Sequence, residues 1–131
     1  MELINVIAAA LVSFALGAVW YMALAEPWMQ ASGVERDETG QPKGGQSPIL
    51  YAATFALQLV VAGMMRHVFA LSGIDTMMAG MVAGAGIGCF FITPWIAINN
   101  LYGGRPVRLT AIDGGYATLG CAAMGLVLVL F

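Results

Sequence analysis

Residues 3–24, 49–71, 77–98 and 109–131 form four apolar runs, each long enough to cross a bilayer, which takes about 20 residues of helix. Such runs read as membrane-spanning helices. The expected fold is all-α, a four-helix transmembrane bundle forming one domain over residues 1–131. Composition agrees, since 9% of the residues are charged where a soluble domain carries about 25%. The first run follows "MELIN", which has no basic region, and it continues for a full span. It therefore reads as a retained helix and not as a signal peptide.

The connections set the topology. Glu26 to Pro48 is polar, with Gly, Pro and charges of both signs, and reads as one longer solvated loop. "SGID" and "YGGRP" are tight hairpin turns. Arg36, Lys43, Arg105 and Arg108 flank the first and third connections against Arg66 at the opposite end. The positive-inside rule then makes those two connections cytoplasmic and turns both termini to the periplasmic side.

Several functions are disfavoured. Five Lys and Arg in a chain of net charge −2 supply no basic patch for nucleic acid. P-loop, GxGxxG and Ser/His/Asp signatures are missing from the sequence, so an enzyme is not expected. His67 stands without a second ligand-type residue at helical spacing, and neither Cys89 nor Cys121 sits in a CxxC pair, so no metal and no cofactor are expected. Cys89 and Cys121 both fall near mid-membrane, where they could face one another. Arg66 is positioned to pair with Asp75 or Glu2.

Helices in lipid associate through small residues that let backbones approach. Gly80, Gly84 and Gly88 recur every four residues, and Asn5, Ala9, Ser13, Gly17 and Tyr21 form a second i+4 stripe on the first helix. Both read as packing lines, and a stripe left unpaired would serve self-association. Pro94 removes one helical hydrogen bond within the third run, freeing the carbonyl of Phe90 and predicting a kink before "WIAINN".

The polarity of the spans gathers at the cytoplasmic end. All seven Trp and Tyr lie toward it: Trp20, Tyr21, Trp28, Tyr51, Trp95, Tyr102 and Tyr116. Either they anchor that interface or they line a site. Asn99, Asn100, Arg105, Arg108 and Asp113 lie at the same end. Asp113 sits five residues beyond Arg108, about 7 Å deeper and turned roughly 140° away, so Arg108 is a poor match for its charge. Candidate partners are Arg105, the amides of Asn99 or Asn100, and the hydroxyl of Tyr21, with Tyr116 on the aspartate's own face. An acid inside a span is a functional-site hypothesis by default. Two readings stand, a structural polar clasp and a ligand or proton site.

"GAVWYMALAEPWM" and "NNLYGGRPVRLTAIDGGY" together resemble the bacterial membrane family catalogued as domain of unknown function 1761. Its members are similar in length and in having four hydrophobic spans. Trp20, Tyr21 and Trp28 match the family's first-helix motif, and Asn99 or Asn100, Tyr102, Gly104, Arg105, Gly115 and Tyr116 match the later one. Glu26 departs from the aromatic and basic residues that members often carry before the second Trp. The resemblance implies fold and topology in a bacterial inner membrane and brings no activity with it.

Three roles fit this pattern. The first is a non-catalytic accessory, assembly or stabilising subunit, with membrane lipid and other membrane subunits, or further copies of itself, as partners. The second is a small oligomeric permease or channel with a polar path through Asp113, Asn99 and Asn100. The third is a membrane enzyme or headgroup binder at the aromatic cluster.

Overall fold

A computed structural model describes residues 2–130; Met1, the side chain of Glu2 and Phe131, the last residue of the expected fourth span, lie outside the described residues. Helix α1 runs Glu2–Ala23, α2 Ala25–Ser32, α3 Pro48–Ser72, α4 Met77–Ile87, α5 Thr93–Tyr102 and α6 Val107–Leu128, with a π turn at Gly88–Ile92 joining α4 to α5. Among the described residues four segments are long and apolar enough to cross a membrane: Leu3–Ala23, Pro48–Ser72, Met77–Tyr102 and Val107–Leu128. The chain is a membrane-spanning protein built as an all-α four-helix bundle.

The bundle is organised around α6. It packs on α1 along one side and on α4, the π turn and α5 along the other, while α3 lies mainly against α1. On α1 the buried line is Asn5, Ala9, Ser13 and Gly17, the i+4 stripe read from the sequence. On α4 the glycine ridge meets α6 backbone to backbone. A Cβ on Gly80 would strike Gly125, one on Gly84 would strike Cys121, and one on Gly88 would strike Ala117 and Thr118. Each step of four along α4 matches a step of four back along α6, as two antiparallel helices in van der Waals contact require. Neither stripe is left over for a second copy. A cluster of Ala9, Ala10, Ala62, Met65, Phe69, Cys121, Met124 and Leu128 fills the end of the bundle nearer the termini.

Three expectations change. The segment Glu26 to Pro48 is not all loop, because α2 occupies its start and buries Met29 and Ala31. Leu24 alone leaves helical geometry, and the bonds from Leu24 N–H to Trp20 and from Trp28 N–H to Leu24 carry the chain through the bend. Gly33, at φ 69°, then ends the helix. The third span reaches Tyr102 instead of stopping at residue 98, so Asn99 and Asn100 are helical residues. Around Pro94 the chain forms a π turn. The N–H of Thr93 bonds the carbonyl of Gly88 five residues back, and the Thr93 hydroxyl bonds the same oxygen at 2.7 Å. The extra residue changes which side chains face α6. After Gly80, Gly84 and Gly88 the α6-facing place falls to Thr93, whose hydroxyl lies 3.2 Å from the carbonyl of Gly114.

Cys121 is buried and Cys89 exposed, both as free thiols, so the two stand in different surroundings.

The remainder of the first connection is held by carboxylates. Glu26 on α2 takes both terminal nitrogens of Arg36, at 3.1 and 2.5 Å. Asp37 accepts from the Thr39 hydroxyl at 2.6 Å and from the N–H groups of Thr39 and Gln41. The hydrogen bond from Arg36 holds the Glu26 carboxyl below its usual range, and that from Thr39 does the same for Asp37. A depressed carboxyl contributes stability that is present above its unfolded pKa and is lost as pH falls through the folded value. The amides of Thr39 and Gln41 are therefore expected to lose hydrogen-exchange protection, after correction for intrinsic rates, as pH drops below the ordinary Asp range. Unchanged protection there would contradict the role given to Asp37.

Candidate functional site

The polar groups meet where the C-terminal half of α1 lies against the N-terminal half of α6. Tyr21 donates its hydroxyl to Oδ1 of Asp113 at 2.7 Å, closing the aspartate onto the neighbouring helix. One residue earlier, Trp20 donates its indole N–H to the carbonyl of Ile112 at 3.0 Å. Its ring lies over Gly115, where a Cβ would come within 2.9 Å of Cζ2. The consecutive glycines of "DGGY" thus divide the work. Gly114 admits Thr93 from α5 and Gly115 admits Trp20 from α1.

Tyr116 ties three helices at one oxygen. Its hydroxyl donates to the carbonyl of Ser13 at 2.7 Å, accepts from Nε2 of Gln58 on α3 at 2.7 Å, and lies 3.3 Å from Oγ of Ser13. The phenol fits because Gly17 has no side chain: a Cβ there would stand 2.7 Å from the hydroxyl and 2.8 Å from Cζ. Gly17 therefore belongs to this site as well as to the packing stripe. The Tyr21 ring meets Tyr116 edge-on at 5.4 Å and Trp28 at 6.1 Å, so three aromatics from α1, α2 and α6 enclose the aspartate's hydrogen bond. The Trp28 indole and the Arg105 guanidinium both act on the Asp113 carboxylate.

The structure joins some of the sequence candidates and separates others. Asp113, Tyr116, Tyr21, Trp20, Trp28 and Gly17 form one connected set. Asn100 is buried but belongs elsewhere. Its Nδ2 donates to the Thr110 hydroxyl at 2.9 Å and its carbonyl accepts from the N–H of Arg105, which closes the α5–α6 hairpin over Gly104 at φ 68°. Asn99 is exposed, so the two asparagines and Asp113 do not converge. Trp95 and Tyr102 point out of the bundle, 67% and 93% exposed, and Tyr51 is exposed with them. Arg108 is exposed, and among the described residues it forms no salt bridge with the aspartate.

Gln58, Thr93 and Thr110 were not among the sequence candidates. Gln58 carried a readable signal, being a lone amide within "FALQLVV". The threonines carried none, since a hydroxyl in a helix can satisfy itself on its own backbone, as Thr54 does on Leu50.

A family model described as protein of unknown function (DUF1761) matches residues 4–129. No curated protein and no solved structure matches the chain.

Proposed function

The chain belongs to this family of unknown function, and we propose that it is a non-catalytic accessory, assembly or stabilising subunit that packs on a larger membrane complex or on lipid. One observation carries the reading: the polar side chains of the α1–α6 seam are engaged with one another across helices. Asp113 is held by Tyr21, Tyr116 by Ser13 and Gln58, and Trp20 by a backbone carbonyl. This is how a bundle fixes one helix arrangement in lipid, where apolar contact alone discriminates little between registers. The arrangement leaves α3 and α4 on the flanks with their apolar faces outward, available to lipid or to further helices. In the same reading the first and third connections face the cytoplasm of a bacterial cell and both termini the periplasm. The support is the concentration of Arg36, Lys43, Arg105 and Arg108 at that end.

Blue-native electrophoresis after mild detergent extraction from the native host tests the proposal. The expected result is migration with other polypeptides in a larger assembly. A lone monomer or a self-oligomer at every detergent level would overturn it, and the self-oligomer would favour the alternative, a small permease with a polar path. That alternative draws support from the line Asp113, Tyr21, Tyr116 and Gln58, the last with a buried Oε1 that has no hydrogen-bond partner among the described residues. Asn99 and Asn100 lie off this line.

A further inference from the structure

A cavity of about 130 Å³ opens at the elbow between α5 and α6, well above the roughly 15 Å³ that one water needs. Its wall has two characters. Ala97, Leu101 and Val107 make most of it aliphatic, and Asn100, Thr110 and Arg105 add a smaller polar part. The polar wall is rigidly built, because the Asn100 amide is fixed on Thr110 and the Asn100 carbonyl on the Arg105 N–H. Arg105 and Arg108 are both exposed, and among the described residues neither belongs to an ion pair; those found are Arg36 with Glu26 and Lys43 with Glu35. Asp113, which acts on Arg105 electrostatically, is hydrogen-bonded by Tyr21. Arg105 thus lines an amphipathic hollow with its guanidinium in no salt bridge among the described residues, and Arg108 follows in the first turn of α6.

The depth of the cavity is marked by its neighbours. Tyr102 and Trp95, both on α5 and both strongly exposed, are the residue types that collect at the membrane–water boundary. Leu101 and Val107, 72% and 76% exposed, carry the aliphatic wall outward onto the surface that meets lipid. Basic pockets between helices at headgroup level suit anionic lipid. We propose that the α5–α6 elbow seats the phosphate of an anionic phospholipid, held by Arg105, with Arg108 in the first turn of α6 adding to the positive charge of the elbow and the lipid chains descending past Leu101 and Val107. The aliphatic wall argues for a lipid phosphate over free phosphate, which would have no use for it. The seat does not depend on the subunit reading.

The test is a native mass-spectrometric titration of the full chain in neutral detergent with phosphatidylglycerol, phosphatidylcholine and inorganic phosphate as separate probes. Phosphatidylglycerol is expected to be retained over phosphatidylcholine, and Arg105→Gln and Arg108→Gln each to weaken it about fivefold. Lys43→Gln, the same change of charge on the exposed first connection, should leave retention as it was. Val107→Trp, which crowds the aliphatic wall and keeps both arginines, should also reduce it. Retention unaffected by the arginine changes, or lowered equally by Lys43→Gln, overturns the site. Inorganic phosphate binding with the same arginine dependence, and displacing the lipid, overturns the lipid assignment.

Discussion

Gly84→Leu is expected to abolish the folded bundle, whereas Gly86→Ala two residues away should be tolerated. At Gly84 an added Cβ meets the carbonyl of Cys121 and the Cα of Ala122, which are backbone atoms that no rotamer change can move aside. The helices would have to separate, and the contacts of Gly80 with Gly125 and of Gly88 with Ala117 would open with them. Overpacking a rigid core costs about 1–3 kcal/mol where side chains can give way, and backbone-on-backbone contact places this case at or above that range. Gly86 faces open space, so Ala there should shift stability by no more than about 0.5 kcal/mol. Unfolding of both variants in mixed detergent, titrated with SDS and followed by circular dichroism, measures the difference. A wild-type midpoint for Gly84→Leu would refute the close α4–α6 approach.

Those glycines were legible because small residues at a strict spacing of four have one strong use in lipid. The four spans were legible for the same kind of reason, since length and hydropathy leave little choice. What stayed hidden depended on register. Pro94 announces a disturbed helix but not that a π turn absorbs it, and that added residue decides that Asn100 faces inward and Asn99 outward. Asp113 was recognisable as a charge needing a partner, and its angular offset from Arg108 rejected one candidate. Choosing Tyr21 among the rest required knowing that α1 and α6 run side by side. α2 was masked by its composition: "AEPWMQAS" mixes a proline, a glutamate, a glutamine and a serine with its apolar residues, and it is helical because Met29 and Ala31 find cover. Gln58 is visible in its span, yet only the packing of α3 on α1 brings it to Tyr116.

Tyr21→Phe is expected to destabilise the bundle by about 1–2 kcal/mol, a large effect for the loss of one oxygen atom. The ring and its edge contacts with Trp28 and Tyr116 survive, so the change isolates the hydrogen bond to Asp113. Bonds to a charged group contribute about 1.5–3 kcal/mol in water-soluble proteins, while cross-helix polar pairs in membranes average about 0.6 and reach about 1.7. The upper part of the membrane range applies because Asp113 is half-buried within a span, with Trp28 and Arg105 left to compensate. Asp113→Asn keeps an acceptor for Tyr21 and should cost less. The decisive variant is the double change Tyr21→Phe with Asp113→Leu. Removing both members of a pair in favour of apolar groups can be nearly neutral, whereas removing one leaves the other unsatisfied. If the pair is a clasp, the double variant recovers most of the stability lost in Tyr21→Phe and still enters the larger assembly on blue-native gels. If it regains stability but leaves that assembly, the carboxylate is needed for more than holding α1 to α6, and the reading of this seam as purely structural fails.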